Sequence, residues 1–280
     1  MSTASDPSAL TAEGTAAYRR HVEEAASALP DLSSSTVAVL HDTECDALLD
    51  ESTTDATVSY ADLPHFPVSD GGLKRGTLDG TGVIELEQPC HLYEGHTPRE
   101  VTFPVRMLAA AGIGTLFLTT AAGSVSPTLH RGDLMMLTDH INFQGQNPLV
   151  GPNVNDWGPR FPDMTTPYDP SLQRTTGDAA REQGISLQKG ILLALLGPNR
   201  ETAAEHRMAR RLGADAVGAG TVPEVIAARH MDVRVAALAL LTEQHLTADK
   251  NGRRLRTARS RLHRLLTGAV GRVSTPDSTA

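Results

Sequence analysis

Residues 90–106 read CHLYEGHTPREVTFPVR, from Cys90 to Arg106. A polar opening, His-x-Tyr-Glu-Gly, runs into Pro98 to Ala111, which reads as a helix with one apolar face, ended by Gly112. Thr115 to Thr120 follows as an apolar run of strand length, TLFLTT, and reads as a buried strand. Ala121-Ala122-Gly123 reads as a small-residue turn after it. Leu134 to Leu137 is a further strand, leading into the loop DHINFQGQNPLVGPN at 139–153.

The same alternation extends outward. Residues 1–12 are a loose Ser/Ala/Pro-rich segment, and Thr11 caps a helix running to Ala28 with Glu13 in its first turn. Thr36 to Leu40 is a central strand. Gly76 to Leu86 is a hairpin turning at Asp79-Gly80. Residues 145–170 are long, irregular and rich in Pro, Asn and Gly, a length that points to a functional loop. Helices are expected at Ser171–Gln183, Thr202–Leu212, Val222–His230 and, strongly basic, Arg253–Ala269. Strands are expected at Gly190–Leu196, Asp215–Gly218 and Val233–Leu241. Strand–helix alternation predicts a single α/β domain over 13–270, a central mixed sheet flanked by helices, with 271–280 a polar tail.

Composition narrows the function. Apolar residues make up 40% of the 280 and aromatics only 4%, so Ala, Val and Leu must fill the core. A net charge of −8 argues against nucleic acid or an anionic membrane as partner. Two cysteines, Cys45 and Cys90, make no disulfide framework, which points to a reducing cytoplasm. No apolar run reaches the roughly 18 residues of a membrane span, and the N-terminus has no secretory pattern. No cofactor and no metal site are expected.

The ordered motifs HxYEG, TFPVR, the small-residue segment and DHIN…GQNPL resemble the trimeric purine nucleoside phosphorylases and their methylthioadenosine-cleaving relatives. Gly197-Pro-Asn-Arg-Glu-Thr202 and the stretch from Leu212 to His230 agree. The resemblance covers about residues 15–245 and implies a nucleoside-phosphorylase-like fold. It also implies a homotrimer, in which the 145–170 loop brings an aromatic, here Phe161, to the neighbour's site.

Carried onto this chain, the resemblance implies that His91 and Tyr93 face the phosphate and ribose, and that the Ala121 backbone lines the phosphate site. Glu201 is set to hydrogen-bond a purine edge. Arg200 replaces a stacking aromatic and either covers the base or pairs with Glu201. Val217 is a wall residue, and Ala219 and Gly220 stand where the family has Met and Ser. Glu243 occupies the position of the Asn or Asp that meets the base N7, where a protonated carboxyl would help the base leave. Each of these residues has a structural reading beside the functional one: packing for His91 and Tyr93, an ion pair for Glu201, a surface site for Glu243. Glu94 is expected to brace its turn. The family's histidine near the sugar's 5′ end falls at Thr257, with His245 or His263 as alternatives.

The phosphate cradle departs from the family. Its Gly-Ser-Gly-Leu-Gly turn is replaced by a stretch carrying Asp42, Glu44 and Asp46, its loop histidine is missing, its arginine is Pro89 and its later serine is Gly220. A phosphate about 4 Å from one carboxylate is opposed by roughly 4 kcal/mol per charge pair at intermediate dielectric. The expectation is therefore an enzyme cleaving the N-glycosidic bond of a nucleoside or modified nucleoside without inorganic phosphate. A carboxylate at 42, 44 or 46 would activate water or stabilise the cationic sugar. The alternatives are a non-catalytic nucleoside-binding or partner subunit, and a conventional phosphorylase with a relocated phosphate site.

Overall fold

The computed structural model describes residues 11–32, 35–41, 47–87, 90–244 and 253–273. Strand β1 (Ser35–His41) lies between β4 (Thr81–Glu87) and β5 (Thr115–Ser124) and is parallel to both. Its Val37-Ala38-Val39-Leu40 run is wholly buried, as suits a parallel strand covered on both faces. Strands β3 (Gly72–Leu78) and β2 (Thr54–Ser59) extend the sheet beyond β4 by antiparallel pairing. The hairpin turns at Asp79 (φ 48) and Gly80 (φ 83), both left-handed as a two-residue loop of this twist requires.

On the other side the sheet closes on itself. β6 (Leu134–Asn142), β7 (Leu187–Ala194), β8 (Ala216–Gly218) and β9 (Arg234–Gln244) join β5 in the order β5-β8-β7-β6-β9, and β9 pairs back to β5. The ring β6–β8 therefore runs against β5 and β9, and the sheet is mixed.

Two layers of helix cover the sheet. α1 (Ala12–Ser27), α2 (Pro98–Ala110) and α5 (Val222–His230) pack around one core with Phe103, Met107, Leu116 and Val225. α3 (Pro170–Glu182) and α6 (Arg253–Val270) pack around a second core with Phe117, Leu238, Leu262 and Leu266. α4 (Ala203–Arg211) seats Ala209 in a third, smaller cluster with Val217. The helix starts follow from local chemistry. Thr97 and Thr202 each accept from the backbone N–H three residues on, while Glu100 and Glu205 reach back to the cap.

Three local expectations change. Ala121-Ala122-Gly123 is not a turn: β5 continues to Ser124 because β9 pairs with it along its whole length and β8 caps its other edge. Asp139 to Asn142 is strand, not loop, since β7 pairs with it through Ala194. β2 was not foreseen; its TDATVS sequence carries little apolar signal and it lies at the open edge. Among the described residues no helix is long and apolar enough to cross a membrane.

Candidate active site

His91 opens a one-turn 3₁₀ helix, Leu92–Glu94, closed by left-handed Gly95. The Glu94 carboxylate accepts the His91 N–H at 2.7 Å and lies 3.3 Å from His91 Nδ1, so Glu94 braces the turn. The His91 and Tyr93 rings stack, with centroids 4.8 Å apart and planes 19° from parallel. Tyr93 is 38% exposed, open to a ligand despite this order. Behind them Cys90 is buried, and burial, aided by the Glu224 carboxylate, pushes its thiol up to about 12. Its burial and neighbouring carboxylates thus disfavour the thiolate at neutral pH.

Strand ends meet this turn. A Cβ built on Gly197, beyond β7, would lie 3.6 Å from Tyr93 Cβ and 3.8 Å from Ala219 Cβ. One built on Gly220 would lie 3.6 Å from Thr120 Oγ1 and 3.9 Å from His91 Cδ2. His91, Tyr93, Thr120, Gly197, Ala219 and Gly220 thus form one constellation where β4, β5, β7 and β8 converge. The side chain expected to reach phosphate from position 220 is absent, and the hydroxyl nearest that place is Thr120, which donates to the Ala121 carbonyl at 3.3 Å.

The floor ends in a tight turn. Thr221 has φ 77 and ψ −42, and Val222 N–H donates to the Gly220 carbonyl at 3.0 Å. This is a γ-turn of the rare, strained hand, in a buried β-branched residue.

Val217 is buried on β8 opposite Gly123, and Ala121 lies on β5 opposite Leu240. The backbone of Glu243 pairs with Gly123, which sets it beside the end of β5; its side chain lies outside the described atoms. Arg200 is exposed and Glu201 half-buried on the loop between β7 and α4. Among the described residues no ion pair joins Glu201 to an arginine. Asp42, Glu44, Asp46, Pro89 and His245 lie outside the described residues. Thr257 and His263 are on α6.

Two residues that sequence reasoning passed over organise the neighbourhood. Glu85, 2% exposed on β4, accepts the N–H groups of Leu48 and Leu49 at 2.5 and 2.9 Å and lies 3.4 Å from His41 Nε2. It thus contacts described residues on both sides of positions 42–46. Its signal was a lone carboxylate inside the apolar strand Val83-Ile-Glu-Leu86. Gln144, 4% exposed, donates from Nε2 to the Ala219 carbonyl at 2.8 Å.

Residues 143–169 cross the surface without regular structure but not loosely. Trp157 lies against the Arg106 guanidinium, 4.7 Å from ring centroid to Cζ, and edge-on to Tyr18. Asn153 Oδ1 is 3.1 Å from His230 Nε2, and a Cβ on Gly158 would lie 1.8 Å from the His230 carbonyl oxygen. Phe161 is 87% exposed, with Arg160 over its ring. It borders a cavity of about 390 Å³ with His140, Val150, Met164 and Ile226, apart from the His91–Gly220 constellation.

The family model of the phosphorylase superfamily matches residues 36–271. Over 200 residues the chain is 46% identical to purine nucleoside phosphorylase 1 of Bacillus subtilis (strain 168), covering 70% of this chain and 74% of that one. Over 218 residues it is 41% identical to the purine nucleoside phosphorylase of Bos taurus, covering 74% and 75%. A solved Schistosoma purine nucleoside phosphorylase in complex with guanosine superposes with a TM-score of 0.82 at 28% identity, over 91% of this chain and 98% of that one.

Proposed function

The chain belongs to the phosphorylase superfamily, in the family of the purine nucleoside phosphorylases, and we propose that it acts at the N-glycosidic bond of a purine nucleoside or modified nucleoside. The observation that carries this reading is the gathering of His91 and Tyr93 against Gly197, Ala219 and Gly220 at converging strand ends. In it Tyr93 faces the ribose and His91 the side where the family holds phosphate, Val217 and Ala219 wall the pocket, and Glu201, with Arg200 beside it, holds the base. Glu243 assists base departure. The oxocarbenium-like sugar that develops as the bond loosens is stabilised by nearby negative charge.

For the nucleophile, we propose water activated by Asp42, Glu44 or Asp46 in place of inorganic phosphate. The support is chemical. Gly220 brings no hydroxyl to the pocket, position 89 is a proline without even an N–H, and the cradle segment carries three carboxylates and no glycine. A second reading, conventional phosphorolysis, is favoured by the names of the relatives. The assembly we propose is a homotrimer in which Phe161 of each protomer serves the neighbouring site.

The deciding experiment is turnover of inosine and guanosine with and without millimolar phosphate. We expect free base and free ribose at a rate indifferent to phosphate. Ribose 1-phosphate formed only with phosphate would establish phosphorolysis instead. Tight nucleoside binding with no turnover under either condition would leave a binding subunit.

A further inference from the structure

We propose that Gln144 is a positioning residue of the nucleoside pocket: its carboxamide ties together the three chain segments that form it. The proposal rests on the nucleoside reading above. β6, β7 and β8 run parallel and stop at one level, with Asn142 beside Ala194 and Ala194 beside Gly218. One last backbone bond closes each side, from Phe143 N–H to the Ala194 carbonyl and from Leu195 N–H to the Gly218 carbonyl, both 2.9 Å. Beyond that level the three chains diverge. They become the loop carrying Phe161, the loop carrying Gly197, Arg200 and Glu201, and the floor at Ala219 and Gly220.

The next carbonyls past the ladder belong to Leu195 and Ala219. Gln144 Nε2 supplies both, at 3.4 and 2.8 Å. Its own position is fixed from behind. The Gln144 N–H donates to Asn142 Oδ1 at 3.2 Å, and Asn142 Nδ2 donates to the Gln146 carbonyl at 3.0 Å. Orientation of the amide is not in doubt chemically, because the opposite flip would set Oε1 against two carbonyl oxygens. Oε1 itself is buried with no hydrogen-bond partner among the described atoms. The side chain is thus held by its donors alone, and only a carboxamide of this length delivers two N–H groups there. Ala219 carries the consequence to the pocket. Its Cβ is 3.8 Å from the Cβ position of Gly197, and Gly220 after it faces His91. Without the amide, the two carbonyls would turn toward water and take the pocket walls with them.

The test uses Gln144→Leu and Gln144→Glu in the full chain, with inosine binding by calorimetry at about pH 8 and about pH 6. Hydrogen exchange over 195–202 and 218–221 is followed in parallel without ligand. Losing one buried hydrogen-bond donor corresponds to about a tenfold change in binding. Gln144→Leu should weaken inosine binding about 10-fold or more at both pH values and speed exchange in both segments. Gln144→Glu should be as weak at pH 8, where an ionised carboxylate repels the Ala219 carbonyl. It should recover most of its affinity at pH 6, relative to the unsubstituted protein at the same pH, as the buried acid takes a proton and donates it to that carbonyl. Binding within about 2-fold of the unsubstituted protein for both variants, or exchange unchanged in both segments, would overturn the proposal. If the unsubstituted protein itself binds no nucleoside, the functional reading fails, while the exchange comparison still decides whether Gln144 ties the segments. Should Gln144→Leu not fold, the pH response of Gln144→Glu carries the test.

Discussion

Arg106 and His230 meet in the interior, with Arg106 Nη1 3.3 Å from His230 Nδ1 and both residues 3% exposed. The guanidinium has only donors, so Nδ1 accepts and the ring is neutral, its Nε2–H directed at Asn153 Oδ1. Burial, then the Arg106 charge, pushes His230 down to about 4. The unfolded chain takes up this proton near pH 6.5 and the folded chain only near pH 4. Between those values unfolding binds a proton, so stability falls as pH falls from about 6.5 to about 4 and is flat above. The span is worth about 3 kcal/mol. His230→Gln should remove this part of the slope in urea unfolding measured at several pH values. Parallel slopes for the two proteins would show that His230 is not the group responsible.

Thr221 makes a sign prediction about backbone strain. At ordinary positions alanine is more stable than glycine by roughly 0.5–1 kcal/mol. At φ 77 an L side chain is strained by about 1–2 kcal/mol, and glycine is not. Thr221→Gly should therefore be at least as stable as Thr221→Ala, although both lose the buried methyl and hydroxyl and glycine loses the Cβ as well. A thermal-melt series placing the alanine variant clearly above the glycine variant would mean that the turn has relaxed.

Much of the fold was readable because its local signals are strong. The hairpin turn at Asp79-Gly80 was read from its turn residues, and the helix that Thr202 caps was expected where it lies. What escaped depends on partners distant in sequence. Ala121-Ala122-Gly123 looks like a turn until β9 lies along it, and β2 has almost no apolar pattern to betray it. His91 with Tyr93, and Ala219 with Gly220, were named from motif resemblance, and the fold brings them together. Glu85 showed only as a lone carboxylate in an apolar strand, with no hint of the N–H groups it holds, and no residue pattern announces the carbonyls that Gln144 meets at the strand ends.

Phe161 yields a prediction about assembly. It is 87% exposed in an otherwise clamped loop, with Arg160 over its ring and the cavity rim beside it. Light scattering at micromolar concentration should give about 89 kDa, three times the 29.7 kDa chain. Phe161→Ala should change chain stability by less than about 0.5 kcal/mol, as an exposed substitution does. It should nevertheless weaken nucleoside binding if, as proposed, the ring serves the neighbouring site. A monomer at this concentration, or unchanged binding, contradicts the trimeric site.

The acidic segment separates catalysis from binding. The chain leaves β1 at His41, whose backbone pairs with Glu87, and is recaptured at Leu48 and Leu49 by Glu85. The described residues on either side of positions 42–46, which carry Asp42, Glu44 and Asp46, are thus both held by β4, the strand whose last residue, Glu87, precedes His91 by four residues. If one of the three is the general base, replacing it by its amide should lower turnover by about 10²-fold or more, the range typical of that role. Nucleoside affinity should change far less, since the substitution keeps the shape and removes a group that acts in the transition state. The other two replacements should have small effects. Glu85→Gln provides the contrast: it alters the group that holds Leu48 and Leu49 and leaves the three acids unsubstituted. It should lower both stability and turnover, because Gln offers one acceptor oxygen where two backbone N–H groups are held. Turnover measured for the three single amides and for Glu85→Gln decides the matter. Equal, small losses from all three amides would remove the water-activating role and leave the acids as charge alone.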